Sequence, residues 1–276
     1  AVTVGDYNVL LKDGLSSVTS LSVWGGEENN PPQYGRVFVS STSSADIDVQ
    51  DLLGAVKHKS IVSVIPEYVP ANNIEVLVSP EEDPIFYYSQ FSTSKSPEQL
   101  KQSIKNYLDS SFRLGLLGQN FDYLRYTDSI NDLEPGLVGN KINVILGKTI
   151  NEVSMSGSYL IDFGNGLETK ARVGNPRGKV IYSSPISVSG LEGEHYIRDD
   201  GDGITLYRIE GEEEVVVEEV IGTFDRNKGV LYIRDLEATA PFTVYVEPAG
   251  TTIVSSRNVL LNVNNEYTSR IQMVSQ

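Results

Sequence analysis

Residues 23–40 of the chain read V-W-G-G-E-E-N-N-P-P-Q-Y-G-R-V-F-V-S. An apolar strand ends at Trp24, the only tryptophan, and a pair of glycines then interrupts it. Glycine permits backbone angles that other residues avoid, and the two prolines that follow favour extended, polyproline-type chain. An alternating strand resumes at Val37. The pattern predicts two strands joined by a loop whose shape is set by covalent restriction.

Such a loop is suited to contact with another molecule, because it offers no good nucleophile, base or metal cage. We predict a contact surface formed by Trp24, Pro31, Pro32 and Tyr34. Trp24 has two interpretations, since it is either the packing anchor of the loop or an interface residue that carries much of a binding energy.

The same run resembles the signature of the baseplate J-like proteins of contractile phage tails, and among them the wedge subunits of T-even phages. The similarity continues through V-S-V-I-P-E-Y-V at 62–69, P-E-Q-L-K at 97–101 and N-F-D-Y at 120–123, so it spans about the first half of the chain. After about residue 150 the resemblance rests on hairpin style alone.

This resemblance implies a structural protein of the baseplate wedge and not an enzyme. It implies that the chain binds copies of itself, as a homodimer or in ring contacts, and other wedge subunits. It also implies a place in the virion, at the tail baseplate, after assembly in the host cytoplasm. The sequence opens at Ala1 without an initiator methionine, and we therefore expect a fragment of a longer chain.

Composition narrows the classes of function. The 276 residues are 39% hydrophobic and 21% charged, and no apolar run approaches the roughly 18 residues that span a bilayer, so no membrane partner is expected. The net charge of -15 would repel a phosphate backbone, which Lys and Arg clusters bind, so no nucleic-acid partner is expected either.

Candidate chemistry is sparse. The chain has no cysteine, which excludes disulfides, zinc–thiolate sites and cysteine nucleophiles. We predict structural roles for the two histidines, His58 and His195. The acidic run at 199–203 fails the EF-hand pattern, and a hairpin tip explains it without a metal. No nucleotide-binding fingerprint is present, so neither a cofactor nor a metal is expected. The acidic clusters at 81–83 and 212–214 are predicted to be solvated loops.

Periodicity predicts an α+β protein of two domains. In residues 1–150, helices near Asp6, Asp48, Ser96 and Tyr123 alternate with strands, which suggests an N-terminal split β-α-β type α/β layer domain. From about residue 151 the helical period disappears, and closely spaced turn signals predict an all-β antiparallel sandwich or barrel-like domain over 151–276. The G-N-G at 164–166 predicts a hairpin, and further turns are expected at 199–203, 210–211 and 225–229.

Two alternatives to a wedge protein stay open at this stage. A β-rich carbohydrate- or receptor-binding module of a tail or cell-surface protein would need a row of exposed aromatic side chains in the second half. A tail-associated hydrolase would need a cleft with two convergent carboxylates. Broad apolar patches without such a cleft would instead favour assembly.

Overall fold

The computed structural model describes residues 4–14, 18–29, 31–43, 53–54, 56–57, 64–79, 83–111, 115, 117–172, 175, 177–201, 203–264 and 270–276. The chain divides into two compact units. The first comprises Ala1–Asn73, Leu114–Asn120 and Val254–Leu261, and the second comprises Ile74–Arg113, Phe121–Ile253 and Asn262–Gln276.

Among the described residues, three helices and a long series of strands have defined bounds. The helices are α1 (Val4–Gly14), α2 (Pro97–Ser111) and α3 (Tyr123–Asn131). The strands are β1 (Val18–Gly25), β2 (Arg36–Ser43), β3 (Ile65–Tyr68), β4 (Asn72–Val78), β5 (Ile85–Tyr88), β6 (Phe121–Asp122), β7 (Leu137–Lys141), β8 (Val144–Ile150), β9 (Tyr159–Asp162), β10 (Ile181–Ser183), β11 (His195–Asp200), β12 (Gly203–Glu210), β13 (Glu213–Asp225), β14 (Val230–Ile233), β15 (Phe242–Val246), β16 (Thr252–Ile253), β17 (Val259–Asn264) and β18 (Gln272–Ser275).

The first unit is built on the β1–β2 pair. These strands are antiparallel, with Trp24 opposite Phe38 and Val23 opposite Val39, and β3 adds to β2 in parallel. The two strands predicted on either side of the glycine- and proline-rich loop are therefore confirmed. Because successive side chains point to opposite faces, each cross-strand pair commits its residues to one side of the sheet.

Helix α1 covers one face of this sheet. Tyr7 and Leu11 lie four residues apart on the helix, and both are fully buried in a cluster with Val23, Val37 and Val39. The helix predicted near Asp6 is confirmed, but it begins at Val4, so Asp6 lies in its first turn and does not cap it. Each large apolar side chain that is fully buried in this way contributes roughly 1.5–3 kcal/mol to folding.

In the second unit, the largest sheet runs through β4, β8, β15, β10, β11, β12, β13, β14 and β9. Each of these neighbouring pairs is antiparallel. Leu77, Ile145 and Tyr182 pack together on it, with Tyr245 against them. A smaller sheet contains β18, β5 and β7.

The expected N-terminal α/β layer domain is wrong. The protein is mostly β, its helices are few, and β4 and β8, which were assigned to that layer, belong to the large antiparallel sheet. Strands β9 to β15 share this curled sheet instead of the expected sandwich or barrel. Local periodicity indicates which residues form strands but not which strands become neighbours. The division into domains 1–150 and 151–276 stays a prediction.

Helix α2 begins with the predicted capping box. The Ser96 N–H donates to Gln99 Oε1 at 2.8 Å, and the Gln99 N–H donates back to Ser96 Oγ at 3.3 Å. Leu100, Ile104 and Leu108 form its fully buried stripe. The predicted helix after Asp48 lies largely outside the described residues, as does His58.

The predicted turns have mixed outcomes. Those near 201, 211 and 229 do join β11–β12, β12–β13 and β13–β14. The hairpin predicted at 164–166 is wrong, because β9 pairs with β14 and Leu167 instead meets Pro248. Strand β14 offers Leu231 opposite Ile161, and both side chains are fully buried, so a distant strand wins over the local one.

Candidate interaction surface

The β1–β2 loop, residues 26–35, is closed by one backbone carbonyl. Gly26 O accepts the N–H groups of Asn29 at 3.2 Å and of Gln33 at 2.7 Å. A Cβ placed on Gly26 would lie 1.8 Å from the carbonyl oxygen of Gln33, a distance that no side chain tolerates. Gly26 is therefore required by the close approach of two backbone segments.

Further bonds fix the start of the loop. Residues 26–28 form a 3-10 turn, and Glu28 Oε1 accepts the Gly25 N–H at 3.3 Å. The loop leaves through Gly35, whose φ of +77° is a conformation that glycine adopts readily. The predicted rigidity thus has a concrete basis in the described part of the loop, although hydrogen bonds contribute to it together with covalent restriction.

Trp24 lies beneath the loop. Its indole stacks on Phe38 with ring centroids 5.6 Å apart and planes 20° apart, and the side chain is buried. The indole N–H donates to Asn29 Oδ1 at 3.1 Å, so Trp24 ties the sheet to the loop. This geometry matches the packing-anchor interpretation, and a direct interface contact by Trp24 stays a prediction.

The other predicted contact residues lie at the surface. Pro31 and Pro32 are exposed, and Tyr34 is 78% exposed. An exposed aromatic ring beside two prolines offers apolar area with little conformational freedom to lose on binding. The structure therefore exposes Pro31, Pro32 and Tyr34 in the loop that Trp24 ties to the sheet, and their role in an interface stays a prediction.

Two arginines support this loop from outside it. The Arg36 guanidinium pairs with Glu67 across the parallel β2–β3 edge. Arg257, in the left-handed region at φ +54°, donates from Nη2 to the carbonyl of Glu28. Sequence analysis missed Arg257, and no signal in the sequence could have found it, since 229 positions separate the two residues.

The remaining candidate residues are held within the sheet, although Nδ1 of His195 is buried without a hydrogen-bond partner among the described residues. His195 is 1% exposed at the start of β11, and its backbone bonds to Ile186 in both directions. Asp199 Oδ1 accepts the Ile181 N–H at 2.9 Å, so this carboxylate of the acidic run is committed to the sheet. Asp202 lies outside the described residues. Within the described part of the chain, no group of His, Asp and Glu side chains could hold a metal.

The tyrosine pair near α3 packs inside the second unit. Tyr126 is fully buried, with its ring 5.3 Å from that of Phe121. The Tyr123 hydroxyl donates to the carbonyl of Ile142 at 2.7 Å, and burial raises the pKa of Tyr123.

In the part of the chain that the structure describes, no helix is long and apolar enough to cross a bilayer.

The β1–β2 loop lies within a segment that matches a known protein family. Residues 3–69 match the family model described as baseplate structural protein gp6, C-terminal domain I. The match includes α1, β1, the β1–β2 loop, β2 and β3, and it supports a structural role in a phage baseplate. It does not reach the similarities noted at 97–101 and 120–123. No curated protein matches the chain.

Proposed function

We propose that this chain is a structural component of the baseplate wedge of a contractile phage tail. In this role it joins wedge subunits into the baseplate ring through protein–protein contacts and catalyses no reaction. The proposal includes membership of the baseplate J-like family. The observation that carries it is the match of residues 3–69 to a baseplate domain, because that segment also contains the rigid β1–β2 loop.

The geometry of the loop fits such work. Binding requires a surface to lose conformational freedom, and a loop already held by Gly26 and Trp24 has little left to lose. Pro31, Pro32 and Tyr34 would then present a preformed patch to a neighbouring subunit. Tail contraction would rearrange such contacts between rigid units without covalent change.

The partners in this proposal are a second copy of the chain, as a homodimer or in ring contacts, and other wedge subunits. The protein would assemble in the host cytoplasm and end in the virion. The net charge of -15 argues against direct contact with nucleic acid.

A carbohydrate- or receptor-binding module was the alternative, and it called for a row of exposed aromatic side chains after residue 150. Among the described residues of that half, Tyr232 is the one aromatic side chain that stands out as exposed, at 47%. One ring does not form a stacking platform, so no specific observation favours this alternative.

The test is the position of the chain in the virion. Gold-labelled antibodies against the purified chain would be applied to particles of the phage that encodes it, before and after tail contraction. Label at the end of the tail farthest from the capsid, before and after contraction, supports a baseplate role. Label on the capsid, along the sheath or on no particle would overturn it.

The wedge-joining part of the proposal has its own measurement. Sedimentation equilibrium of the chain across a range of concentrations at moderate salt should show a dimer, the state expected of a self-complementary interface. A strict monomer at high concentration would remove the homodimer and assign the ring contacts to other subunits.

A further inference from the structure

The hairpin of β12 and β13 extends past the edge of its sheet. Strand β13 covers Glu213–Asp225, but β14 pairs only with its last four residues, from Gly222 onwards. Residues 213–220 therefore bond to β12 on one side, and no described strand lies along their other side. An open strand edge presents unpaired N–H and C=O groups to any chain that can lie beside it.

Most side chains of residues 209–220 are open to solvent, whereas Tyr207, opposite Val216, is buried where β12 also pairs with β11. Ile209 and Val216 share one face and are 45% and 43% exposed, and Val220 near the base is 65% exposed. Apolar side chains left exposed on an unpaired ribbon are typical of a surface that a partner covers.

The charge of the extension is of one sign. Residues 209–220 read I-E-G-E-E-E-V-V-V-E-E-V, with no Lys or Arg among them. Glu210 pairs with Arg208 and Glu214 pairs with Arg198. The other four carboxylates, at Glu212, Glu213, Glu218 and Glu219, have no ion pair among the described residues.

The negative charge of this strand edge disfavours a second copy of the chain as its binding partner and favours a basic one. A second copy pairing edge to edge would bring glutamates of the two strands face to face, which destabilises a strand pair. The register between β12 and β13 is irregular near Leu206, where Thr205 Oγ1 donates to the carbonyl of Glu219 at 2.8 Å. A basic, extended segment avoids the repulsion between glutamates, and residues 213–220, which read E-E-V-V-V-E-E-V, offer it both carboxylates and apolar side chains.

We propose that the outer edge of β13 at residues 213–220 takes up an extended segment of another protein, rich in both Lys or Arg and apolar residues, as an added strand. Backbone hydrogen bonds hold the segment, its apolar side chains cover the valines, and its cations face the unpaired glutamates. This inference goes beyond the wedge proposal, since it names a second surface, in a different unit from the loop, and the chemistry of its partner.

The probe is a fluorescent synthetic octapeptide that alternates lysine and valine, titrated with the chain and followed by anisotropy. Its control is a peptide of equal charge in which two central valines are replaced by proline, which removes ladder hydrogen bonds. We expect the control to bind at least about tenfold more weakly. Amide hydrogen exchange should slow at residues 213–220 when the first peptide binds. Equal affinity of both peptides, or no protection of this strand, would overturn the proposal.

Charge-reversal variants locate the site. The double variant E213K/E218K should weaken binding of the lysine–valine peptide by about tenfold. The matched control E98K/E152K makes the same change in net charge at exposed positions outside β11, β12 and β13 and should leave the affinity within about twofold. Equal losses in both double variants would mean that only net charge matters, and the proposal would fail.

The same variants test the competing occupant. If E213K/E218K alters the oligomeric state seen in sedimentation, the edge binds a second copy and not a basic segment. The peptide assay reports on β13 alone, so its failure leaves the wedge proposal, which depends on residues 3–69, untouched.

Discussion

The indole of Trp24 lies on the ring of Phe38 across a cross-strand pair, with centroids 5.6 Å apart, and its N–H reaches up to Asn29 Oδ1. One side chain thus links the sheet of the first unit to the loop above it. We expect Trp24→Ala to reduce the free energy of unfolding by about 3–5 kcal/mol, through the lost packing. Urea unfolding followed by circular dichroism measures this. Trp24→Phe keeps a ring against Phe38. It should lower the free energy of unfolding by only about 1 kcal/mol, because only the hydrogen bond is lost.

A second prediction concerns the close approach at Gly26. Gly26→Ala places a methyl group 1.8 Å from the Gln33 carbonyl, so the loop must open. The expected destabilisation is about 1–3 kcal/mol, with faster hydrogen exchange at the Gln33 amide. Gly139→Ala serves as the control, since its Cβ would meet nothing nearer than 3.9 Å. Similar losses in both variants would contradict the argument.

The exposed tip of the β1–β2 loop, formed by Pro31, Pro32 and Tyr34, allows an effect on assembly to be distinguished from an effect on stability. Tyr34→Ala should change the free energy of unfolding by no more than about 0.5 kcal/mol, because the ring is 78% exposed. If the tip is an interface, the same variant weakens self-association or binding to a wedge subunit in sedimentation. Phe91→Ala removes a ring that is 99% exposed elsewhere and controls for general loss of apolar surface. No difference between the two variants would remove Tyr34 from the predicted interface.

The turn after β13 gives a prediction on pH. Asp225 Oδ1 accepts the N–H groups of Asn227 at 3.1 Å and Lys228 at 3.2 Å, and the bond from the Lys228 N–H holds the pKa of this carboxyl below its ordinary value. A lowered pKa in the folded state adds stability above the unfolded-state pKa, and this is lost as pH falls through the folded-state pKa. Asp225→Asn should therefore lower Tm at pH 7, and the gap to wild type should narrow with acidification. A gap independent of pH would show that the charge of Asp225 is irrelevant.

Local signals in the sequence predicted local elements well. The S-P-E-Q at 96–99 contains its own cap, so the start of α2 depends on residues three positions apart. The strands beside the β1–β2 loop were predictable for the same reason. Val37 and Val39 are two residues apart and share one face of β2, and the turn residues lie between the two strands in the sequence. The exposed prolines and Tyr34 also followed from local composition.

Tertiary structure alone decided the partners. The G-N-G turn at 164–166 reads as a hairpin, yet β9 pairs with β14 because Ile161 and Leu231 bury each other there. The sequence around Glu28 does not predict its hydrogen bond with Arg257. The glutamate–valine run does not predict that β13 extends beyond its pairing with β14. The sequence by itself determined where the chain turns and which residues are apolar, since these depend on backbone freedom and side-chain chemistry over a few positions. Which strands meet, and which edge stays open, depends on competition among distant surfaces for burial, and only the folded chain resolves it.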